Sequence, residues 1–446
     1  MTGSYWNAEL ETRPWAEVER WQATQIDAFV QELPARSPMY ARILGDAPSS
    51  VGSFAALSSL PFTMKSHVRE AQDHTSAERP FGDNQGAPTR DVIQTLSSSG
   101  TTGRPMYYAL TAADHDRWSD AIAQGWFTAG LRPDDLVAHL VALPGVAGGL
   151  PYADGFRRLG ATLCWLGGFP TERILRELRN MRITTLLATT SFGTYLSEQW
   201  EAIGASTGMP SSMKKVFCGG EPGLNQPEIR AKIRNGLQID ALREVMGLGD
   251  VLSSLWAECE AEDGMHFNAQ RYVAVELIDP DSGASVPWKD GAKGELVYTT
   301  FARDATPMLR YRSRDHALVH GVACRCGRTS PRIRCIGRTD DMLIYKGMNL
   351  FPTALRDLIA ARFAGRVEPL IRIWKDRADQ VRFDDAVAVD VEAAASTKPE
   401  DYAALAAQIE KAVRAELQVR IAPTIVASGT LPRGTYKTSL VAVRTT

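Results

Sequence analysis

What this 446-residue chain lacks narrows its function first. Its most apolar run, Leu136 to Leu150, is short and is broken by His139 and Pro144, so it does not predict a membrane span. The start, Met1 to Leu10, lacks the basic-then-apolar order of a secretory signal. Charge is nearly balanced, 50 Lys and Arg against 52 Asp and Glu, and this argues against a nucleic-acid partner. Six cysteines in a chain of this length do not make a disulfide framework. No internal repeat, low-complexity tract or Walker pattern G-x-x-x-x-G-K-[ST] occurs. The expectation is a cytoplasmic globular protein without membrane or nucleic-acid partners. A homodimer is left open. The length suits about three average domains, or one large and one small.

What is present centres on Ser97-Ser98-Ser99-Gly100-Thr101-Thr102-Gly103-Arg104-Pro105, between β-rich segments Val92–Leu96 and Met106–Leu110. Such a loop offers many backbone N–H groups, hydroxyl donors and little bulk, which suits a phosphate chain; the plain alternative is a flexible hairpin linker.

Residues 1–90 read as mostly helical, with Ile26, Phe29, Val30 and Leu33 at helical spacing and Trp6, Trp15, Trp21 and Tyr40 as packing residues. Thr111 and Asp114 predict a capped helix carrying Trp118 and Ile122 on one face. Strand signals then alternate with helical ones. Leu136–Val141, Ala161–Leu166, Thr184–Ala188 and Lys215–Cys218 read as strands, with Thr171 as the cap of an intervening helix. The alternation predicts an α/β fold, a parallel sheet with flanking helices and a site at the strand ends. A β-rich region follows, including Gly294–Thr300. Residues 341–446 predict a small α+β unit with helices Thr353–Ala364 and Asp401–Gln418 and strands Ile371–Trp374, Ala386–Val391 and Ile425–Val426. The expected division is therefore a large N-terminal domain, 1–339, and a small mobile C-terminal domain, 340–446.

Cys324-Arg325-Cys326-Gly327 is a C-x-C-G turn whose two thiolates can face one metal. Cys259 and His266 are candidates for the remaining ligands of a structural Zn²⁺, with Cys335 as a competing fourth ligand; free, partly buried thiols are the alternative.

Several further segments fall in a telling order: Cys218-Gly219-Gly220-Glu221-Pro222, Met246-Gly247-Leu248-Gly249-Asp250, Tyr311-Arg312-Ser313-Arg314-Asp315, Gly337-Arg338-Thr339-Asp340-Asp341 and Leu431-Pro432-Arg433-Gly434-Thr435-Tyr436-Lys437. Together with Ser98, Ser99, Gly100, Thr101, Thr102 and Gly103, they resemble the adenylate-forming enzymes, and within them the phenylacetate–CoA ligase-like branch. The resemblance runs from about residue 40 to 440. It implies that an acid is activated with Mg·ATP to an acyl-adenylate, releasing pyrophosphate, and is then passed to coenzyme A with release of AMP.

By that likeness Ser98–Gly103 hold phosphates, while Gly219, Gly220, Glu221 and Pro222 wall the adenine. Met246 and Gly247 border the base and the acid. Asp315 holds the ribose hydroxyls and Arg338 joins the nucleotide site. Asp250 takes Mg²⁺, Asp340 is the hinge, Gly347 leaves room for the pantetheine arm, and Lys437 stabilises the developing charge. The resemblance also supports Cys259, His266, Cys324 and Cys326 as zinc ligands. Three departures stand out: Asp250 is one methylene shorter than the family's Glu, Met246 replaces an aromatic, and Leu440 lies where an Arg commonly follows the lysine.

An acyl pocket lined by Pro144–Pro151, Thr189-Thr190-Ser191, Gly219-Gly220 and Met246-Gly247 predicts a flat aromatic acid, benzoate-, hydroxybenzoate-, anthranilate- or arylacetate-like. Two alternatives remain: transfer to a carrier-protein thiol or to an amine or hydroxyl, and a non-catalytic ATP- or acyl-binding regulator.

Overall fold

The computed structural model describes residues 4–48, 50–97, 106–141, 145–207, 211–220, 223–224, 226–338, 343–346, 348–377, 380–432 and 439–444. It is mixed α/β with one large sheet and a smaller α/β unit at the C-terminal side.

Helix Trp15–Arg36 buries Val18, Ile26, Phe29, Val30 and Leu33 on one face, as their spacing predicts. Val92–Ser97 and Tyr107–Thr111 pair antiparallel and flank the hydroxyl-rich loop. Thr111 then starts helix Ala112–Ala129 through a capping box. Its hydroxyl accepts from Asp114 N–H at 3.1 Å, and the Asp114 carboxylate accepts from Thr111 N–H at 3.0 Å. Thr171 does not cap its helix. Pro170 occupies the N-cap and Thr171 is the first helical residue, because the proline fixes an extended entry and offers no acceptor side chain.

The eleven-stranded sheet has two characters. Strands Thr162–Trp165, Leu136–His139, Thr185–Ala188, Lys215–Gly219 and Ala241–Leu248 run parallel, in that spatial order. Helices Leu150–Leu159, Thr171–Asn180, Thr190–Thr207 and Pro227–Leu237 connect them. Leu252–Glu258, Met265–Phe267, Arg332–Arg338, Tyr311–Val319, Lys293–Thr299 and Ala274–Ile278 extend the sheet antiparallel. Loops at the C-terminal ends of the parallel strands therefore meet near the point where the sheet changes character.

The C-terminal part folds on a separate core, including Leu355, Ile373, Val389, Ile409 and Ile421. Its four-stranded sheet runs Ile421–Val426, Val387–Ala393, Val367–Lys375, Val441–Val443, and helices Pro352–Arg362 and Tyr402–Leu417 accompany it. Among the described residues, no helix is long and apolar enough to cross a membrane.

Candidate functional site

Gly219 closes the strand Lys215–Gly219, where a Cβ would stand 2.7 Å from the Val245 carbonyl oxygen. Gly220 turns the chain away with φ +82°, a conformation that other residues adopt only with strain. On the adjacent strand Ala241–Leu248, a Cβ on Gly247 would sit 1.8 Å from the Ser253 carbonyl oxygen, so only glycine fits. Met246 and Gly247 lie in this strand beside an irregularity in its pairing. The chain then turns into Asp250.

The Asp250 carboxylate is buried and accepts from the Tyr311 hydroxyl at 2.6 Å. Lys65 Nζ lies 3.8 Å from the same oxygen. Arg303, itself buried, donates to the Asp250 carbonyl at 2.8 Å and fixes the turn. Burial and the Asp250 charge push the Tyr311 and Tyr108 phenols well up from their ordinary range, so both stay protonated beside the carboxylate.

Asp315 lies inside the strand Tyr311–Val319. Sequence alone pairs it most simply with Arg312 or Arg314. In the structure Arg338, its register partner on the neighbouring strand, donates to Asp315 Oδ1 at 2.6 Å. Arg312 is instead bound to the buried Glu295. Two expected nucleotide residues, Asp315 and Arg338, thus form one ion pair.

Lys65 and His139 are functional candidates that no motif marks. The Thr63 N–H donates to the Arg310 carbonyl and the Arg312 N–H to the Thr63 carbonyl, both at 3.0 Å. This parallel bridge places Lys65, at the head of helix Lys65–Asp73, beside Asp250. For His139, the only signal is one imidazole inside an apolar stretch.

The C-x-C-G knuckle builds a second centre. Ligand atoms of Cys259, His266, Cys324 and Cys326 all lie within 4.8 Å of one another. Cys259 Sγ and Cys324 Sγ are 3.8 Å apart, and Cys326 Sγ is 3.4 Å from His266 Nε2. Ser330 Oγ lies 3.3 Å from His266 Nδ1, which orients the ring. A hydrogen bond from the Cys259 thiol, with His266 beside it, holds the Cys326 thiol far below its ordinary range, and the same bond pushes Cys259 up. Cys335 stands apart, its sulfur directed at the Gly337 carbonyl. The N-terminal segment is fastened to this knuckle. Tyr5 donates its hydroxyl to the Cys326 carbonyl at 2.9 Å, and the buried Arg328 holds the buried Glu11 at 2.8 Å.

Ser98, Ser99, Gly100, Thr101, Thr102, Gly103, Glu221, Pro222, Asp340, Gly347 and Lys437 lie outside the described residues.

Residues 347–443 match the family model for the AMP-binding enzyme C-terminal domain. The chain is 32% identical over 359 residues to a phenylacetate–coenzyme A ligase of Thermus thermophilus, covering 79% of this chain and 77% of the relative. It is 31% identical over 361 residues to the Escherichia coli phenylacetate–coenzyme A ligase, covering 79% of each. Among solved structures, 2-hydroxyisobutyryl-CoA ligase in the postadenylation state, in complex with 2-HIB-AMP, overlaps with a TM-score of 0.87 at 25% identity, across 99% of this chain and 93% of that one. The same ligase in the thioesterification state overlaps with a TM-score of 0.70 at 25% identity, across 99% and 92%. This chain belongs to the phenylacetate–coenzyme A ligase-like branch of the adenylate-forming enzymes and is an AMP-forming acid–thiol ligase.

Proposed function

We propose that the chain activates an aryl carboxylic acid, arylacetate- or benzoate-like, to its adenylate and transfers the acyl group to coenzyme A. One observation carries the site assignment. The strand Tyr311–Val319 ties two carboxylates: Asp250 through the Tyr311 hydroxyl, and Asp315 four residues on, beside Arg338. The strand bulges between them, with Arg314 at φ +66° and a register shift against Lys293–Thr299, so Tyr311 to Asp315 spans less than four extended residues would; the ribose lies at Asp315 and the phosphates toward Asp250. Asp315 accepts from ribose hydroxyls, with Arg338 held against it from the neighbouring strand. Gly219, Gly220, Glu221 and Pro222 wall the base. Ser98–Gly103 cradle phosphates.

Asp250 offers the hard oxygen donor that Mg²⁺ prefers, and Lys65 adds positive charge beside it. When bound, the metal neutralises phosphate charge. Lys437 reaches the α-phosphate and the acid from the C-terminal side, where a preorganised cation stabilises the developing charge. The division at 340, with Asp340 as hinge and Gly347 beside the pantetheine path, completes the reading. The greater overlap with the postadenylation than with the thioesterification state supports an adenylation-side arrangement here.

The cysteine–histidine cluster fits Zn²⁺. A tetrahedral zinc with Zn–S near 2.3 Å separates two sulfurs by about 3.8 Å, which is the Cys259–Cys324 spacing. Four protein ligands make it structural.

A second reading has specific support: an aliphatic hydroxy acid, as in the ligase that overlaps along the whole chain. ATP–pyrophosphate exchange with phenylacetate, benzoate, 4-hydroxybenzoate and 2-hydroxyisobutyrate decides between them, followed by thioester formation with coenzyme A. Exchange with the aryl acids and an aryl-CoA product is expected. Exchange with 2-hydroxyisobutyrate alone would overturn the aryl assignment. Adenylate without thioester would move the acceptor to a carrier protein, an amine or a hydroxyl.

A further inference from the structure

His139 is fully buried at the end of strand Leu136–His139, under the segment that leads to helix Leu150–Leu159. Its two ring nitrogens engage that segment at both ends. Val141 N–H donates to Nδ1 at 3.2 Å, and Nε2 donates to the Gly149 carbonyl at 3.1 Å. This pattern requires the neutral ring protonated on Nε2. Burial, which lowers the imidazole to about 4, keeps it neutral. Trp165 stacks on the ring at 4.5 Å between centroids, 23° from parallel, and Phe156 meets it edge-on at 5.9 Å. The ring therefore cannot rotate without breaking both bonds.

The clamped segment touches the other parts of the site. Its Gly145 carbonyl accepts from the N–H of Ser97, the residue immediately before the hydroxyl loop, at 2.8 Å. Ala147 packs so closely on Gly249 that a Cβ on that glycine would stand 3.2 Å from the alanine methyl. Asp250 follows Gly249. Gly167 packs under the start of the segment, where a Cβ would lie 2.2 Å from the Val141 carbonyl oxygen.

We infer that His139 is a positioning residue whose imidazole, bonded to Val141 and Gly149, holds residues 145–149 as a wall of the acid pocket in register with Ser97 and Gly249. The role in catalysis rests on the proposed placement of the acid against this segment. His139 touches no reacting atom. It acts by holding two backbone groups whose loss would let the wall move against both Ser97 and Gly249.

Three variants separate this role from general stabilisation. His139→Ala removes both bonds. His139→Asn keeps an acceptor near the Nδ1 position for Val141, and His139→Gln keeps a donor near the Nε2 position for Gly149. Steady-state exchange with phenylacetate and Mg·ATP, melting temperature and amide hydrogen exchange are measured together. In the alanine variant the phenylacetate KM should rise about tenfold, the cost of two backbone anchors. The ATP KM should rise severalfold, and the Val141 and Ser97 amides should lose protection. Asn and Gln should each recover part of the KM effect.

Wild-type KM values in the alanine variant would overturn the inference, as would unchanged amide protection. So would equal KM losses in all three variants that follow the fall in melting temperature. If the wild-type protein exchanges with none of the acids, the aryl reading fails. Amide protection still tests the clamp in that case.

Discussion

Lys232 bridges the two parts of the molecule: it donates to Glu198 at 2.8 Å on its own side and to Glu368, on the strand Val367–Lys375, at 3.2 Å. Around it Gln226 donates to Asp357, Thr353 donates to the Ile336 carbonyl at 3.2 Å, and Phe351 packs on His316 at 5.2 Å. These contacts form the seam between the C-terminal part and, on the other side, helix Pro227–Leu237 and the large sheet. Each is polar or aromatic.

Weakening this seam should slow the first half-reaction selectively. Lys232→Ala leaves the nucleotide site intact and removes a partly exposed pair worth about 0.5–1 kcal/mol. Pyrophosphate exchange should fall roughly two- to fivefold, while thioester formation from preformed adenylate holds. Equal losses in both steps would mean that the seam does not discriminate between conformations.

Lys437→Ala should lose adenylation while still binding ATP. Removing one preorganised charge donor costs about 3 kcal/mol, a hundredfold or more in rate. Exchange rate and ATP affinity, measured on one preparation, check this. Full exchange activity would take Lys437 out of the mechanism.

Protein purified without chelator should carry about one zinc per chain. Stripping it should lower the melting temperature by roughly 5–10 °C, before any change in intrinsic rate. His266→Ala should release the metal and Cys335→Ser should not, since Cys335 points away from the cluster. Metal content by mass spectrometry decides both points.

Glu244 gives a pH signature. It is buried, and desolvation with the neighbouring Glu258 charge raises its carboxyl to about 7, against partial relief from Arg334 and Arg230. Its folded value exceeds the unfolded one, so its contribution to stability is fully present below about pH 4.5 and is lost as pH rises through about 7. The loss amounts to about 3 kcal/mol. Glu244→Gln should flatten the stability profile between pH 5 and about pH 8, read by urea unfolding at each pH. An unchanged slope would place the titration on another group.

Much of this was legible in the chain because it depends on short-range chemistry. The Thr111–Asp114 box, the βα alternation and the C-x-C-G turn are local patterns, and each appears where its residues predict. Asp315 was harder. Its partner Arg338 is set by strand register across the sheet, which nothing within ten residues of either encodes. Lys65 reaches Asp250 only because Thr63 bridges to Tyr311, more than two hundred positions away. His139 looked like a polar interruption of an apolar run. Its meaning lies in two backbone groups and an indole that converge only after the parallel strands pair. Pro170 shows the reverse case, where a favourable capping threonine yields to the fixed backbone of its predecessor.

The fastening of Tyr5 to Cys326 has a temporal consequence. The two residues lie 321 positions apart. At synthesis rates of about 5–20 residues per second, the N-terminal segment waits roughly 15–60 s for its docking site to emerge. Within that interval Trp6 can meet Phe127, and Trp15 Phe267, only as each of those residues emerges. Docking of this segment thus waits on residues made 321 positions later.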